Sequence, residues 1–255
     1  MARTPYLDHG GVVAMAHRGF SRDGLENTLQ AFAAAVDLGY TYVETDVHVT
    51  SDGVLVSFHD DTLDRVSDAT GLIRELAWSQ VSQARIGDQP VPLMDDLFGN
   101  WPDLRLNIDC KHISAAPALA EAIEKHAAHD RVLVASFDDH TRDEVLRRLS
   151  KPVATSAGSA RTRQAVLASK GKLRPVARRA LAPVDALQVP HRQGRVTVVT
   201  RSFVQMAHAL GKQVHVWTIN DADEMHELLD LGVDGLISDR ADVLKNVLQE
   251  RGTWA

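Results

Sequence analysis

Several short clusters in the 255-residue sequence carry side chains able to do chemistry: His17-Arg18-Gly19, Glu44-Thr45-Asp46, His59-Asp60, Asp109-Cys110-Lys111, Trp217-Thr218 and Ser238-Asp239. Each lies at or just past the end of a short apolar run that reads as a β-strand. Side chains alternate along a strand, so Glu44 and Asp46 point the same way, Asp109 and Lys111 share a face, and Cys110 points to the opposite one. Buried carboxylates repel by roughly 4 kcal/mol per pair at about 4 Å and an effective dielectric near 20. Three at one mouth call for a cation, and a set of oxygen donors suits one divalent ion, Mg²⁺ or Ca²⁺, and not zinc. Each cluster alone has a plainer explanation. A His beside an Arg is commonly structural, Glu44 and Asp46 could pair with Arg or Lys, and Trp217 could be core. The coincidence of residue type, parity and strand end is what singles them out.

The elements that must position these residues follow from periodicity. Apolar, β-branched runs recur at 12–16, 42–47, 54–58, 104–108, 132–137, 152–155, 186–189, 213–219 and 235–238. Between most of them the spacing is helical, as in the stripes Leu29, Phe32, Ala33, Val36 and Phe203, Met206, Ala207, Leu210. Leu38-Gly39, Leu210-Gly211 and Leu231-Gly232 read as helix stops before a strand, and Asp221 with Glu224 as a helix start. Alternating helices and strands imply an α/β chain with a parallel sheet. Nine strands exceed an eight-stranded barrel by one. The Asp52-Gly53 turn makes 54–58 a hairpin return outside the ring, which leaves a TIM (β/α)8 barrel. A doubly wound open sheet is the alternative, disfavoured because no Gly-x-Gly-x-x-Gly follows the first strand. Residues 60–103 lack a clean βα unit and carry Pro90, Pro92 and Pro102, so they read as a small insertion after the second strand, capping the barrel mouth. The basic stretch 161–179 reads as a solvated helix face.

Bulk properties bound the function. The length fits one barrel domain spanning 1–255. A formal charge of −6 and ordinary hydrophobic content of 44% exclude a disordered chain and argue against a nucleic-acid partner. One cysteine, Cys110, excludes an intrachain disulfide. No apolar run approaches a membrane span, and residues 1–8 do not resemble a signal peptide, so the expectation is a cytoplasmic protein without stable membrane insertion. The sequence does not set the oligomeric state.

Taken together, His17-Arg18-Gly19, Glu26-Asn27-Thr28, Glu44-Thr45-Asp46-Val47, Thr50-x-Asp52-Gly53 and His59-Asp60 resemble the signature of the glycerophosphodiester phosphodiesterases. The likeness continues through Thr62-Leu63-Asp64-Arg65, Pro92-Leu93-Met94-Asp95-Asp96-Leu97, Asp109-x-Lys111, Ser136-Phe137-Asp138, Val216-Trp217-Thr218-Ile219-Asn220 and the run from Gly232 to Asp239. It covers nearly the whole chain and is weakest over 156–197. The resemblance implies metal-dependent hydrolysis of a small glycerophosphodiester to sn-glycerol 3-phosphate and an alcohol. By position, His17 and His59 would be the acid–base pair, and Glu44, Asp46 and Asp109 would be metal ligands. Arg18 and Lys111 would hold the phosphate, with Trp217 and Phe137 walling the substrate. Two positions depart from the pattern. Asp109 stands where the family usually has Glu, and Leu25 where it often has Pro.

The chemistry is consistent with that assignment. A phosphodiester is anionic and unreactive, so its charge must be screened before a nucleophile approaches, and a poor alkoxide leaving group needs a proton. The nucleophile could be water or the glycerol 2-hydroxyl. Rival readings are a lipid-cleaving barrel of lysophospholipase D or phosphoinositide phospholipase C type, a metal-dependent aldolase on the same fold, and a non-catalytic binding descendant.

Overall fold

A computed structural model describes residues 4–171 and 173–254. In chain order the elements are β1 (Val13–His17), α1 (Leu29–Asp37), β2 (Tyr42–Val49), β3 (Leu55–Ser57), α2 (Trp78–Val81), β4 (Arg85–Ile86), β5 (Gln89–Pro90) and α3 (Met94–Asn100). Then follow β6 (Arg105–Cys110), α4 (Ala116–Lys125), β7 (Val132–Ala135), α5 (Asp139–Leu146), β8 (Ala154–Thr155), α6 (Ser159–Lys170), α7 (Arg174–Leu181) and β9 (Ala186–Pro190). The chain ends with β10 (Arg192–Gln193), β11 (Val196–Thr197), α8 (Arg201–Ala209), β12 (Gln213–Trp217), α9 (Ala222–Leu231), β13 (Gly235–Ser238) and α10 (Ala241–Glu250).

Eight strands lie in the order β8-β7-β6-β2-β1-β13-β12-β9, each neighbour parallel. The two ends of that path meet. Ser156 bridges Ala186, the Asp185 amide donates to the Thr155 carbonyl at 2.8 Å, and the Ala157 amide donates to Ala186 at 3.0 Å. The fold is therefore a TIM barrel, as the periodicity implies. β3 pairs antiparallel with the far end of β2 and lies off the ring, the hairpin return expected from Asp52-Gly53.

Alternation along the strands divides the core in two. Val43, Val47, Leu106, Ile108, Cys110, Val132, Val134, Val214 and Val216 face outward and pack under the helices. Val13, Met15, Tyr42, Leu133, Ala154, Ala186 and Ile237 face inward and fill the base of the barrel. A single 3₁₀ turn, Pro5–Leu7, closes that base from below. Its Tyr6 stacks edge-on against Tyr42 at 5.2 Å, and the Tyr42 hydroxyl donates to the Tyr6 carbonyl.

Local chemistry sets the helix ends. The Thr28 hydroxyl accepts from the Ala31 amide to start α1, and Asp138 and Asp221 cap α5 and α9 in the same way. The expected partner of Asp221 behaves differently. Glu224 turns its carboxylate to His191 at 2.6 Å, tying α9 to the loop after β9. Gly232 ends α9 at φ +87°, a left-handed conformation that costs a glycine little.

The 60–103 stretch contains two different things. Phe58, Leu63, Ile73, Val81, Ala84, Ile86 and Val91 form a small core of their own. By contrast, α3 buries Met94, Leu97 and Phe98 in the main core, as the helix belonging to β2.

Candidate active site

The inward column of each strand changes character toward its C-terminal end. On β2 it runs Tyr42, Glu44, Asp46, His48; on β6 it continues past the strand as Asn107, Asp109, Lys111. His17 lies opposite Glu44, which lies opposite Asn107, and Asp46 lies opposite Asp109. A cavity of about 410 Å³ opens there, lined by His17, Arg18, Glu44, Asp46, His59, Asp109, Lys111, Phe137 and Trp217. Every residue to which the sequence reading gave a role borders this one space.

Both histidines are held by carboxylates through Nδ1. Asp239 binds His17 at 2.6 Å, and Asp60 binds His59 at 2.5 Å. A carboxylate at Nδ1 orients the ring and leaves Nε2 for the cavity. His17 Nε2 faces Glu44 at 3.7 Å. Burial disfavours the His17 imidazolium, but the Glu44 charge and the Asp239 hydrogen bond outweigh it and raise the pKa. His59 is also supported from behind, because His48 Nε2 lies 3.2 Å from its carbonyl.

Arg18 is placed by an unusual backbone. Its φ is +56°, and its amide donates to Glu44 while its carbonyl accepts from Asn27. Gly19 must follow, since a Cβ there would lie 2.6 Å from the Ala31 carbonyl carbon of α1. The guanidinium reaches Glu26 at 2.9 Å and lies 3.3 Å from Asp46. Glu26 also accepts two bonds from Arg65, which in turn grips Asp60. Arg65 thus links Asp60, the carboxylate behind His59, to Glu26, the carboxylate holding Arg18. Its hydrogen bonds hold the Asp60 carboxyl well below the usual range.

The three carboxylates differ from one another. Glu44 is pushed up to about 8 by burial and by the charge of Asp46. Burial also disfavours ionised Asp46, but Lys111 and Arg18 outweigh it and lower its pKa. Lys111 Nζ lies 2.7 Å from Asp46 and 2.8 Å from Asp109. With the ammonium between them, no three His, Cys, Asp or Glu side chains converge at ligand spacing among the described residues. Asp109 Oδ1 and Asn107 Oδ1 are nevertheless buried without a hydrogen-bond partner. An all-oxygen donor set with an unsatisfied anionic oxygen and a carboxyl forced toward neutrality fits a hard divalent cation.

The opposite wall is of another kind. Ser156, Ser159, Thr162, Arg163, Gln188 and Gln193 line it, with no carboxylate among them. Phe137 is 59% exposed at the rim, edge-on to Trp217 at 5.8 Å, with Lys111 Nζ 5.7 Å from its ring. Arg163 belongs to the basic stretch read from the sequence as a solvated face; its side chain is exposed yet borders the cavity.

Six contributors carried no role in the sequence reading: Glu26, Asn27, His48, Asp60, Arg65 and Asp239. His48 shares the parity of Glu44 and Asp46, and Asp239 that of the cavity-lining Ile237, so alternation could have found both. Asn27 donates to Asp46 and accepts from Thr45 and Ser57, a loop contact that no periodicity reveals.

Two carboxylate-backed imidazoles beside the Arg18 and Lys111 cations form a site chemically able to bind an anionic ester and to transfer protons. Comparison with known proteins narrows the class. Residues 17–243 match the glycerophosphoryl diester phosphodiesterase family. The chain is 44% identical over 251 residues to "Probable glycerophosphodiester phosphodiesterase 2" of Mycobacterium tuberculosis, covering 98% of this chain and 95% of that one. The fold is shared with a glycerophosphodiester phosphodiesterase from Agrobacterium tumefaciens (TM-score 0.78, 21% identity, 93% of this chain and 99% of that chain). It is also shared with an Oleispira antarctica phosphodiesterase in complex with the product sn-glycerol-3-phosphate (TM-score 0.75, 23% identity, 92% and 96%). The chain belongs to the glycerophosphoryl diester phosphodiesterase family and is a phosphoric diester hydrolase.

Proposed function

We propose that the protein hydrolyses glycerophosphodiesters to sn-glycerol 3-phosphate and an alcohol, using His17 and His59 as its acid–base pair and one divalent cation, Mg²⁺ or Ca²⁺. The observation that carries this reading is the pair of carboxylate-backed imidazoles bordering one cavity with Arg18 and Lys111. Glu44, Asp46 and Asp109 would hold the cation, which supplies positive charge against the non-bridging phosphate oxygens. Arg18 adds a fixed guanidinium, held between Glu26 and Asp46. Lys111 bridges Asp46 and Asp109, and the same ammonium is within reach of a phosphate once those carboxylates have another cation to neutralise them.

In this scheme His17 takes the proton from the nucleophile, water or the glycerol 2-hydroxyl. Asp239 at Nδ1 stabilises the resulting imidazolium. His59, backed by Asp60, donates from Nε2 to the leaving alkoxide. Each transfer is worth typically ~10²–10⁴-fold. Trp217 and Phe137 wall the organic part of the substrate.

The direct test offers the protein glycerophosphocholine, glycerophosphoethanolamine and glycerophosphoinositol, with glycerol 3-phosphate detected by a coupled enzyme, before and after exhaustive chelation. Release of glycerol 3-phosphate that stops on chelation and returns with Mg²⁺ or Ca²⁺ is the expected result. Full activity after chelation would remove the cation from the scheme, and release of free phosphorylated alcohol instead would reassign the bond cleaved.

A further inference from the structure

Exposed apolar side chains are concentrated on the α6–α7 hairpin. Leu167 is 70% exposed, Leu173 54% and Val176 47%. Leu167 and Leu173 lie on either side of the turn at Gly171, whose added Cβ would touch both the Leu173 side chain and the Leu167 carbonyl. The hairpin packs inward through Ala165 and Ala168 on α6 and Ala177, Ala180 and Leu181 on α7, which leaves Leu167, Leu173 and Val176 outside that contact.

The charge of the same hairpin is one-sided. No acidic residue occurs between Glu144 and Asp185, although the whole chain carries −6. Lys170, Arg174, Arg178 and Arg179 are exposed and make no hydrogen bond or ion pair with any described residue. By contrast, Arg147 and Arg148 just past α5 both close on Glu144, and Arg251 closes on Asp230. Unpaired cations around exposed Leu and Val match a surface that is anionic outside and apolar just beneath.

The hairpin also connects to the catalytic cavity. Ser159, Thr162 and Arg163 line that cavity from the first turns of α6. Arg163 and Leu167 are four residues apart and share one helix face. The face that borders the cavity therefore continues outward to the apolar tip.

We infer that the α6–α7 hairpin is a docking surface for an anionic phospholipid bilayer, with Leu167, Leu173 and Val176 entering the interface and the cations meeting headgroups. Nucleic acid fits less well. The chain has no aromatic residue between Phe137 and Phe203 on which a base could stack, and exposed aliphatic groups add nothing to a phosphate backbone. Docking does not rest on which diester is cleaved, because it is read as binding without turnover.

The test is co-sedimentation of the full chain with vesicles of phosphatidylcholine alone and of equal parts phosphatidylcholine and phosphatidylglycerol. Binding to the anionic vesicles only is expected. It should fall as salt rises, since screening shortens from about 10 Å at 0.1 M to about 3 Å at 1 M. Leu167→Asn with Leu173→Asn should lower the partition coefficient ~10-fold or more. Arg174→Glu with Arg178→Glu should lower it by roughly 25-fold or more, from about fivefold per cation. Both variants should turn over soluble glycerophosphocholine at the parental rate. Absence of binding at low salt, or binding unchanged in both variants, would overturn the inference. Tighter binding to a single-stranded RNA than to vesicles, indifferent to the leucine changes, would overturn it in favour of nucleic acid.

Discussion

The cavity has two walls that solve different problems. Along β1, β2 and β6 nearly every charged group is tied to another, from Asp60 through Arg65, Glu26 and Arg18 to Asp46, Lys111 and Asp109. Along β8, β9 and the start of α6 the lining is hydroxyl, amide and a single exposed guanidinium. A cross-linked set of charges holds its geometry before substrate arrives, which is what transition-state stabilisation requires. A wall of neutral polar groups and aromatic edges can accept different alcohols without disturbing that geometry. Substitutions on the first wall should therefore act on rate, and those on the second on substrate affinity.

The largest effect should come from the carboxylates. Glu44→Ala, Asp46→Ala and Asp109→Ala should each lower kcat by ~10³-fold or more, with loss of divalent-cation affinity measured by calorimetry. Parental cation affinity in all three would break the distinction between the walls. Asp109→Glu lengthens the side chain by one methylene and should keep measurable activity with a changed Mg²⁺/Ca²⁺ preference.

The histidines come next. An acid is needed only for a poor leaving group, so His59→Ala should fail on glycerophosphocholine by roughly 10²-fold or more yet recover much of its rate on a nitrophenyl phosphodiester. His17→Ala should fail on both. Rescue of His17→Ala alone would exchange the two roles. A smaller loss, about tenfold in kcat with KM little changed, is expected for Arg65→Ala, which touches neither cavity nor substrate but frees Asp60 and Glu26 together. Arg65→Lys should recover only part of it, because one ammonium cannot make both forked contacts. An effect on KM alone would place Arg65 in binding instead.

The division between legible and illegible follows the physics of the chain. Strand alternation announced Glu44, Asp46, Asp109 and Lys111 as one inward set, and strand ends announced His17 and Trp217, because these depend on local periodicity. Asp52-Gly53 likewise separated β3 from the barrel. Asp239 behind His17 is 222 residues distant in sequence, and Arg65 reaches Glu26 across 39. Such pairs depend on barrel closure and on loop paths, which no window of residues encodes. The basic side chains of the α6–α7 stretch are exposed, as a solvated face implies, but only the fold shows that Leu167 and Leu173 are exposed among them.

The smallest effect on rate, and a distinct effect on stability, should come from beneath the second wall. His215 points inward on β12, fully buried, with Nε2 3.0 Å from Gln213 and Nδ1 3.4 Å from Gln188, which lines the cavity. The Gly235 position on β13 is bare because a Cβ there would lie 2.9 Å from the His215 ring. Burial, with a lesser contribution from His9, lowers the His215 pKa to about 3. Above pH 6.5 the ring is neutral in both folded and unfolded chains and has no effect on stability. Between 6.5 and about 3 the unfolded chain binds a proton that the folded chain refuses, so stability falls on acidification. At about 1.4 kcal/mol per pH unit, the loss from pH 6.5 to 4.5 is of order 2–3 kcal/mol. His215→Gln keeps a polar group beside Gln213 and cannot take up that proton. Urea unfolding at the two pH values should show the parent losing stability by about that amount more than the variant, with kcat at neutral pH nearly unchanged. Equal losses in both proteins would mean that His215 accepts its proton without unfolding the barrel.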